Sequence, residues 1–157
     1  MSAQARPAVA LRFVVFGRSQ QKGSKRVLPI RGRVPLGHQH VVLVDANKNA
    51  APWAQQVSAA ALRAYGTGEL IRTPVAVRMA FYFSRPKSHF GRGRNAETLR
   101  PAAPRHMGSM PDLDKLARCA VDALTGIVLK DDALISELAL AKRYGDPERL
   151  EVEVTVL

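Results

Sequence analysis

Between Val75 and Phe83 apolar side chains take every second position: Val75, Val77, Met79, Phe81 and Phe83 lie on one face, and Arg78 and Tyr82 on the other. Successive side chains of an extended strand point to opposite sides, so this pattern fits a strand with one buried face. Leu150, Val152, Val154 and Val156 repeat it against Glu151, Glu153 and Thr155, and Val9, Leu11, Phe13 and Val15 do so near the N-terminus. Two other stretches carry apolar residues at helical spacing. One is Trp53, Val57, Ala60, Ala61 and Ala64, with Pro52 suited to the first turn and Gly66 ending it. The other is Leu113, Leu116, Ala117, Ala120, Val121 and Leu124, starting near Asp112 and stopping before Gly126. A short strand at 41–44 and a strand over 134–144, whose alanines and leucines also suit a helix, complete the pattern. The expected fold is α/β in the broad sense that includes α+β: a small mixed sheet flanked by two helices. The 157 residues fit one domain, 1–157.

Charge narrows the partner. The formal net charge is +11, and such self-repulsion calls for a polyanion, with nucleic acid the first candidate. The charge is unevenly spread: residues 1–111 hold 18 Lys and Arg against 3 Asp and Glu, whereas 112–157 hold 6 against 10. Ten acids near a phosphate backbone weaken simple charge binding, so they need another purpose. Two stretches without apolar period are expected to be basic loops that touch DNA. The first, 18–33, contains Lys22, Lys25, Arg26, Arg31 and Arg33, and its backbone is expected to be exposed and mobile. The second, 85–111, contains Arg85, Lys87, Arg92 and Arg94. No basic amphipathic helix faces lipid, and no apolar run is long enough to cross a bilayer. Arg6, Pro7 and Arg12 interrupt any signal-peptide core, so a cytoplasmic location is expected. Cys119 is the only cysteine, which excludes an intrachain disulfide and predicts a buried thiol.

The acids offer the chemistry. Asp112 and Asp114 form a D-x-D where a loop enters a helix. They serve either as N-cap and helix-dipole partner or as carboxylates aimed at one divalent cation. Asp131 and Asp132 are turn residues on the plain reading. On the other, a short strand returning from the helix brings them beside Asp112 and Asp114, making a cluster of up to four carboxylates for Mg²⁺. Such a site hydrolyses phosphodiesters. Arg118, one turn past Asp114, is either its surface partner or, with Lys115, a cation for the transition-state charge. Asp122 is expected to pair with Arg118. His38, His40, His89 and His106 show no metal spacing, and the chain has no Gly-rich phosphate loop or nucleophilic triad, so no organic cofactor is expected.

These residues form ordered motifs: Q-K-G-S-K-R from Gln21, F-S-R-P-K-S-H from Phe83, P-D-L-D-K-L from Pro111, D-A-L-T-G from Asp122, K-D-D from Lys130 and K-R-Y-G from Lys142. In order and spacing they resemble the RusA family of Holliday junction resolvases over most of the chain. The resemblance implies a RusA-like α/β fold, a homodimer, and paired nicking of four-way junctions in recombination and repair, dependent on Mg²⁺ or Mn²⁺, in bacteria and their phages. It places the catalytic aspartates at Asp112, Asp114 and Asp132, with Asp131 beside them. The chain departs from the family in having Lys115 in place of Asn and Arg118 in place of the helix lysine. Arg keeps the charge but has a different hydrogen-bonding shape, and Lys115 can supply a point charge instead. Two other readings remain open: a non-catalytic nucleic-acid-binding protein, and a nuclease for flaps or replication forks.

Overall fold

A computed structural model describes residues 8–29 and 41–157, with the side chains of all except 26–29 and 41–45. In chain order the elements are β1 (Ala8–Phe16), β2 (Lys25–Pro29), β3 (Val41–Asp45), α1 (Ala50–Tyr65), β4 (Val75–Phe83), α2 (Leu113–Leu124), β5 (Ile135–Tyr144) and β6 (Arg149–Val156). Among the described residues they make an α+β fold with a four-stranded mixed sheet in the order β1-β6-β4-β5 and a separate β2-β3 pair. β6 runs antiparallel to both β1 and β4, and β5 runs parallel to β4.

Register explains why the alternating sequences make one core. Leu11, Val154 and Val77 lie side by side across three strands, as do Phe13, Val152 and Met79, and then Val15, Leu150 and Phe81. All nine are buried. Trp53, Val57, Ala60 and Ala61 of α1 and Leu116, Cys119, Ala120, Ala123 and Leu124 of α2 join the same apolar cluster. The alanines let α1 and α2 pack against each other, and α1 also lies on β1. Truncating a fully buried side chain such as Phe81 to alanine would cost about 3–5 kcal/mol. β4, α2 and β5 form a crossover between parallel neighbours. α2 therefore runs back from the end where β4 finishes to the end where β5 begins.

Several details differ from the sequence reading. The segment 18–33 contains a strand, since Lys25–Pro29 pairs antiparallel with Val41–Asp45; a partner strand supplies the order that its composition lacks. Arg26 lies in that strand with its side chain outside the described residues, and Arg31, Arg33, His38 and His40 lie outside them altogether. α1 starts at Ala50, two residues before Pro52, which still falls in the first turn. The 134–144 segment is a strand over Ile135–Tyr144, where pairing with β4 outweighs the helical preference of alanine and leucine. The 85–111 segment is ordered by its own contacts. Arg100 donates its backbone N–H to the His89 carbonyl and its Nε to the Phe90 carbonyl, and Gly91 N–H bonds the Thr98 carbonyl. Gly91 is required there, because a Cβ would lie 2.5 Å from the Asn95 carbonyl oxygen. Cys119 is buried, as expected. No helix among the described residues is long and apolar enough to cross a membrane.

Candidate active site

Asp112 occupies the N-cap position of α2, and Asp114 lies in the first helical turn. The capping reading predicts that the Asp112 side chain accepts a helix N–H. It accepts none. Its Oδ2 instead lies 3.0 Å from Lys115 Nζ, in a pair whose side chains are 40% and 36% exposed. In water that pair contributes little to stability. What it does is hold an ammonium against the carboxylate.

The surroundings of this helix end are built from distant parts of the chain. Gln21 turns its Oε1 to the Asp112 backbone N–H at 2.6 Å, satisfying a donor at the helix entrance. Asn47 in turn fixes Gln21, donating from Nδ2 to its carbonyl at 2.8 Å. The Lys22 N–H bonds the Lys115 carbonyl at 3.2 Å. From the other side, Lys142 of β5 donates through Nζ to the carbonyls of Ser109 (2.6 Å) and Pro111 (2.8 Å), tying down the approach to the D-x-D. A cleft of about 270 Å³ opens beside Pro111 between the 18–21 segment and Met110. Ser19 lines it, 3% exposed, with a hydroxyl that has no hydrogen-bond partner among the described residues.

Asp131 and Asp132 stand at the other end of α2. The N–H groups of Val128 and Leu129 close that end on the Leu124 carbonyl, and Lys130 N–H then bonds Ile71. The helix between the two acid pairs is about 18 Å long at 1.5 Å per residue. Asp131 caps the 3-10 turn Asp132–Leu134, accepting the Ala133 N–H at 2.8 Å. Asp132 is exposed. The expected cluster of four carboxylates is not assembled within one chain: among the described residues no group of three or more His, Cys, Asp or Glu could hold a metal ion. The reason is topological, since the crossover helix separates the pairs. Asp112 and Asp114 alone offer two hard oxygen donors, a number that suits Mg²⁺, which keeps several of its waters.

The cations are partly reassigned. Asp122 pairs with Lys22 rather than Arg118, and Arg118 is exposed with no ion pair among the described residues. Arg85 stacks over Tyr144, 4.3 Å from its ring centroid, and Nη1 bonds the Pro104 carbonyl at 2.9 Å. Lys25, Lys87, Arg92 and Arg94 are exposed. His89 packs edge-on against Tyr144, and His106 is exposed. Gln21, Asn47 and Lys142 do not stand out in the sequence as site residues. The first and last lie inside the Q-K-G-S-K-R and K-R-Y-G motifs, so the signal is present without a role attached.

A family model described as Endodeoxyribonuclease RusA matches residues 32–155, a span that contains both acid pairs and Lys142. The chain is also similar to "Uncharacterized protein YqaN" of Bacillus subtilis (strain 168), 26% identical over 149 residues that cover 92% of this chain and 94% of that protein.

Proposed function

The chain belongs to the RusA endodeoxyribonuclease family, and on that premise we propose that it is a Mg²⁺-dependent homodimer that resolves four-way DNA junctions by paired symmetric nicks. The observation that carries this reading is the end of α2, where Gln21 and Lys142 pin the backbone around Asp112 and Asp114 more firmly than a solvated helix start requires. A non-catalytic binder has no use for a helix entrance held this firmly at the point where two carboxylates stand.

Asp112 and Asp114 would hold the ion, and Lys115 keeps Asp112 charge-balanced until then. When bound there, a divalent ion would supply a water of lowered pKa and charge neutralisation at the phosphate. Lys115 and Arg118, on and one turn beyond that first turn, place positive charge where the leaving strand gains negative charge. The separation of Asp131 and Asp132 from Asp112 gives the second copy a function: Asp132 of the partner subunit completes the site that one chain leaves with two acids. A dimer with two such sites cuts two opposed strands, as symmetric resolution requires. Exposed Lys25, Lys87, Arg92 and Arg94 hold the arms through phosphate contacts, which favours a cytoplasmic protein working on chromosomal or phage DNA.

The test is to incubate the protein with labelled four-way junction, flap and nicked duplex, with Mg²⁺, Mn²⁺ or chelator. Symmetric nicks in the junction that vanish in chelator are expected. Junction binding without cutting under any of these conditions would contradict the proposal, and cutting confined to flaps would redirect it to another branched substrate.

A further inference from the structure

The four-stranded sheet has one face in the core and one turned away from it. Leu11, Phe13 and Val15 of β1, Leu150, Val152 and Val154 of β6, and Val77, Met79 and Phe81 of β4 share the apolar cluster with α1 and α2. The residues between them point the other way. On that second face, register sets one row of side chains across all four strands. Phe16 of β1 lies opposite Arg149 of β6, Arg149 opposite Tyr82 of β4, and Tyr82 opposite Arg143 of β5. Neighbouring strands are about 4.8 Å apart, so the row is roughly 14 Å long.

The row combines aromatic rings with cations. Phe16 is 65% exposed, more than any other large hydrophobic residue among the described residues. Beside it the Arg149 guanidinium lies over the Tyr82 ring, 3.8 Å from the centroid, while its Nε donates to Glu151 at 2.7 Å and its Nη1 to the Pro147 carbonyl at 3.1 Å. These contacts hold the guanidinium in place, with the side chain still 21% exposed. Gly145 makes room for the stack, since a Cβ there would lie 2.8 Å from Tyr82 Cδ1. The K-R-Y-G motif thus supplies Arg143 and the glycine that admits Tyr82. Arg143 and, further along β4, Arg78 are exposed and form no ion pair among the described residues. Of the acids on this face, Glu151 is held by Arg149 and Glu153 by Arg12, while Glu137 stands toward the far end of β5 from Arg143.

We propose that this row binds single-stranded DNA, with bases stacking on Phe16 and on the Arg149 guanidinium and phosphates meeting Arg143 and Arg78. Cations alone suit any polyanion. A ring left in water beside a fixed guanidinium suits bases, and only an unpaired strand presents base faces, because a duplex hides them in its own stack. The length of the row has room for about two or three bases, as on the sheets of single-strand readers that stack bases on strand aromatics. The row stands at the end of the sheet where β4 finishes and α2 starts, on the face away from the helices. A strand held there leaves the entrance of α2 open. The site goes beyond the junction reading and does not depend on it: a junction whose arms are all paired leaves the row empty, and a branch with an unpaired arm fills it.

Binding is measured in chelator, so that cutting plays no part. Wild type should bind labelled oligothymidylate of about ten nucleotides, and an abasic strand of the same length roughly 10-fold more weakly, since that strand keeps the phosphates and lacks the bases. Phe16→Ala should lose this preference while leaving affinity for a fully paired four-way junction unchanged. Arg149→Lys keeps the charge without the plane and should weaken oligothymidylate binding as well; circular dichroism checks that both variants are folded. Phe16→Trp places an indole in the row, and oligothymidylate should quench its emission. The emission of wild type should not change, because Trp53, its one tryptophan, is buried. Equal wild-type affinity for the two strands, Phe16→Trp emission that saturating oligothymidylate leaves unchanged, or Phe16→Ala and Arg149→Lys that both bind as wild type does would each overturn the site. A protein that meets these expectations and cuts no junction keeps the site and overturns the proposed activity instead.

Discussion

The two ends of α2 carry the same kind of side chain in contrasting settings. At the N-terminal end, Gln21 holds the Asp112 backbone, Lys115 faces its carboxylate, and Lys142 fixes the loop before it. These contacts come from a segment about ninety residues earlier, from the helix itself and from β5. At the C-terminal end, Asp131 accepts one local hydrogen bond from Ala133, and Asp132 is exposed. Tertiary contacts fix the backbone at Asp112, although Asp114 is exposed there; Asp131 and Asp132 are exposed just before an edge strand. A metal ligand gains from being fixed before the ion arrives, because outer contacts set ligand orientation and affinity. The contrast fits the proposed reading, in which the chain carries half a site at each end of one helix and a second copy would join the halves.

The largest effect that would sharpen this comparison is removal of charge at either end. Asp114→Asn and Asp132→Asn should both abolish Mg²⁺-dependent nicking while changing stability, followed by thermal melting, by no more than a surface substitution does, about 0.5 kcal/mol. Junction affinity in chelator should hold or rise, since each variant removes a negative charge facing phosphate. If Asp132→Asn cut normally while Asp114→Asn did not, the two ends would be functionally unrelated.

Next in size are the residues that hold the anchored end. Gln21→Leu and Lys142→Met should lower cutting by roughly 10- to 100-fold and raise the Mg²⁺ concentration needed for half-maximal rate. A structural role alone would lower stability without moving the Mg²⁺ requirement, so a titration with Mg²⁺ on each folded variant separates the two.

How much of this is legible in sequence follows from the physics of each signal. β1, β4 and β6 have one buried face each, so their period of two is clean, and α2 has a continuous apolar stripe. β5 has little burial to imprint a pattern on it, and its strand state depends on pairing with β4. β2 cannot be read from composition because its order comes from β3. The D-x-D and K-D-D acids are recognisable as candidates, yet their separation is not, because it depends on the direction in which α2 crosses the sheet. Gln21 and Lys142 act through backbone carbonyls and N–H groups about thirty to ninety residues away, and no local spacing encodes such a contact.

Smaller effects belong to the basic loops. Lys87, Arg92 and Arg94 are exposed, so replacing each with alanine should lower the slope of log affinity against log salt by about 0.9 for each phosphate that is no longer neutralised. Lys22 should behave differently because Asp122 already pairs with it. Lys22→Met should change that slope little, and stability by at most about 1 kcal/mol for a pair this exposed. A salt slope that responds to Lys22 as strongly as to Arg92 would place the Lys22 ammonium on the DNA surface instead of against Asp122 of α2.

The most direct test of the account mixes two inactive proteins. Asp114→Asn and Asp132→Asn subunits, purified separately and exchanged through mild denaturation and refolding, form heterodimers with one site that lacks both acids and one that keeps both. If each site joins Asp112 and Asp114 of one chain to Asp132 of its partner, the mixture should regain Mg²⁺-dependent nicking of a single strand of the four-way junction, without paired resolution. If each site lies within one chain, every site in every heterodimer lacks an acid. The mixture would then stay as inactive as its components, contradicting the account.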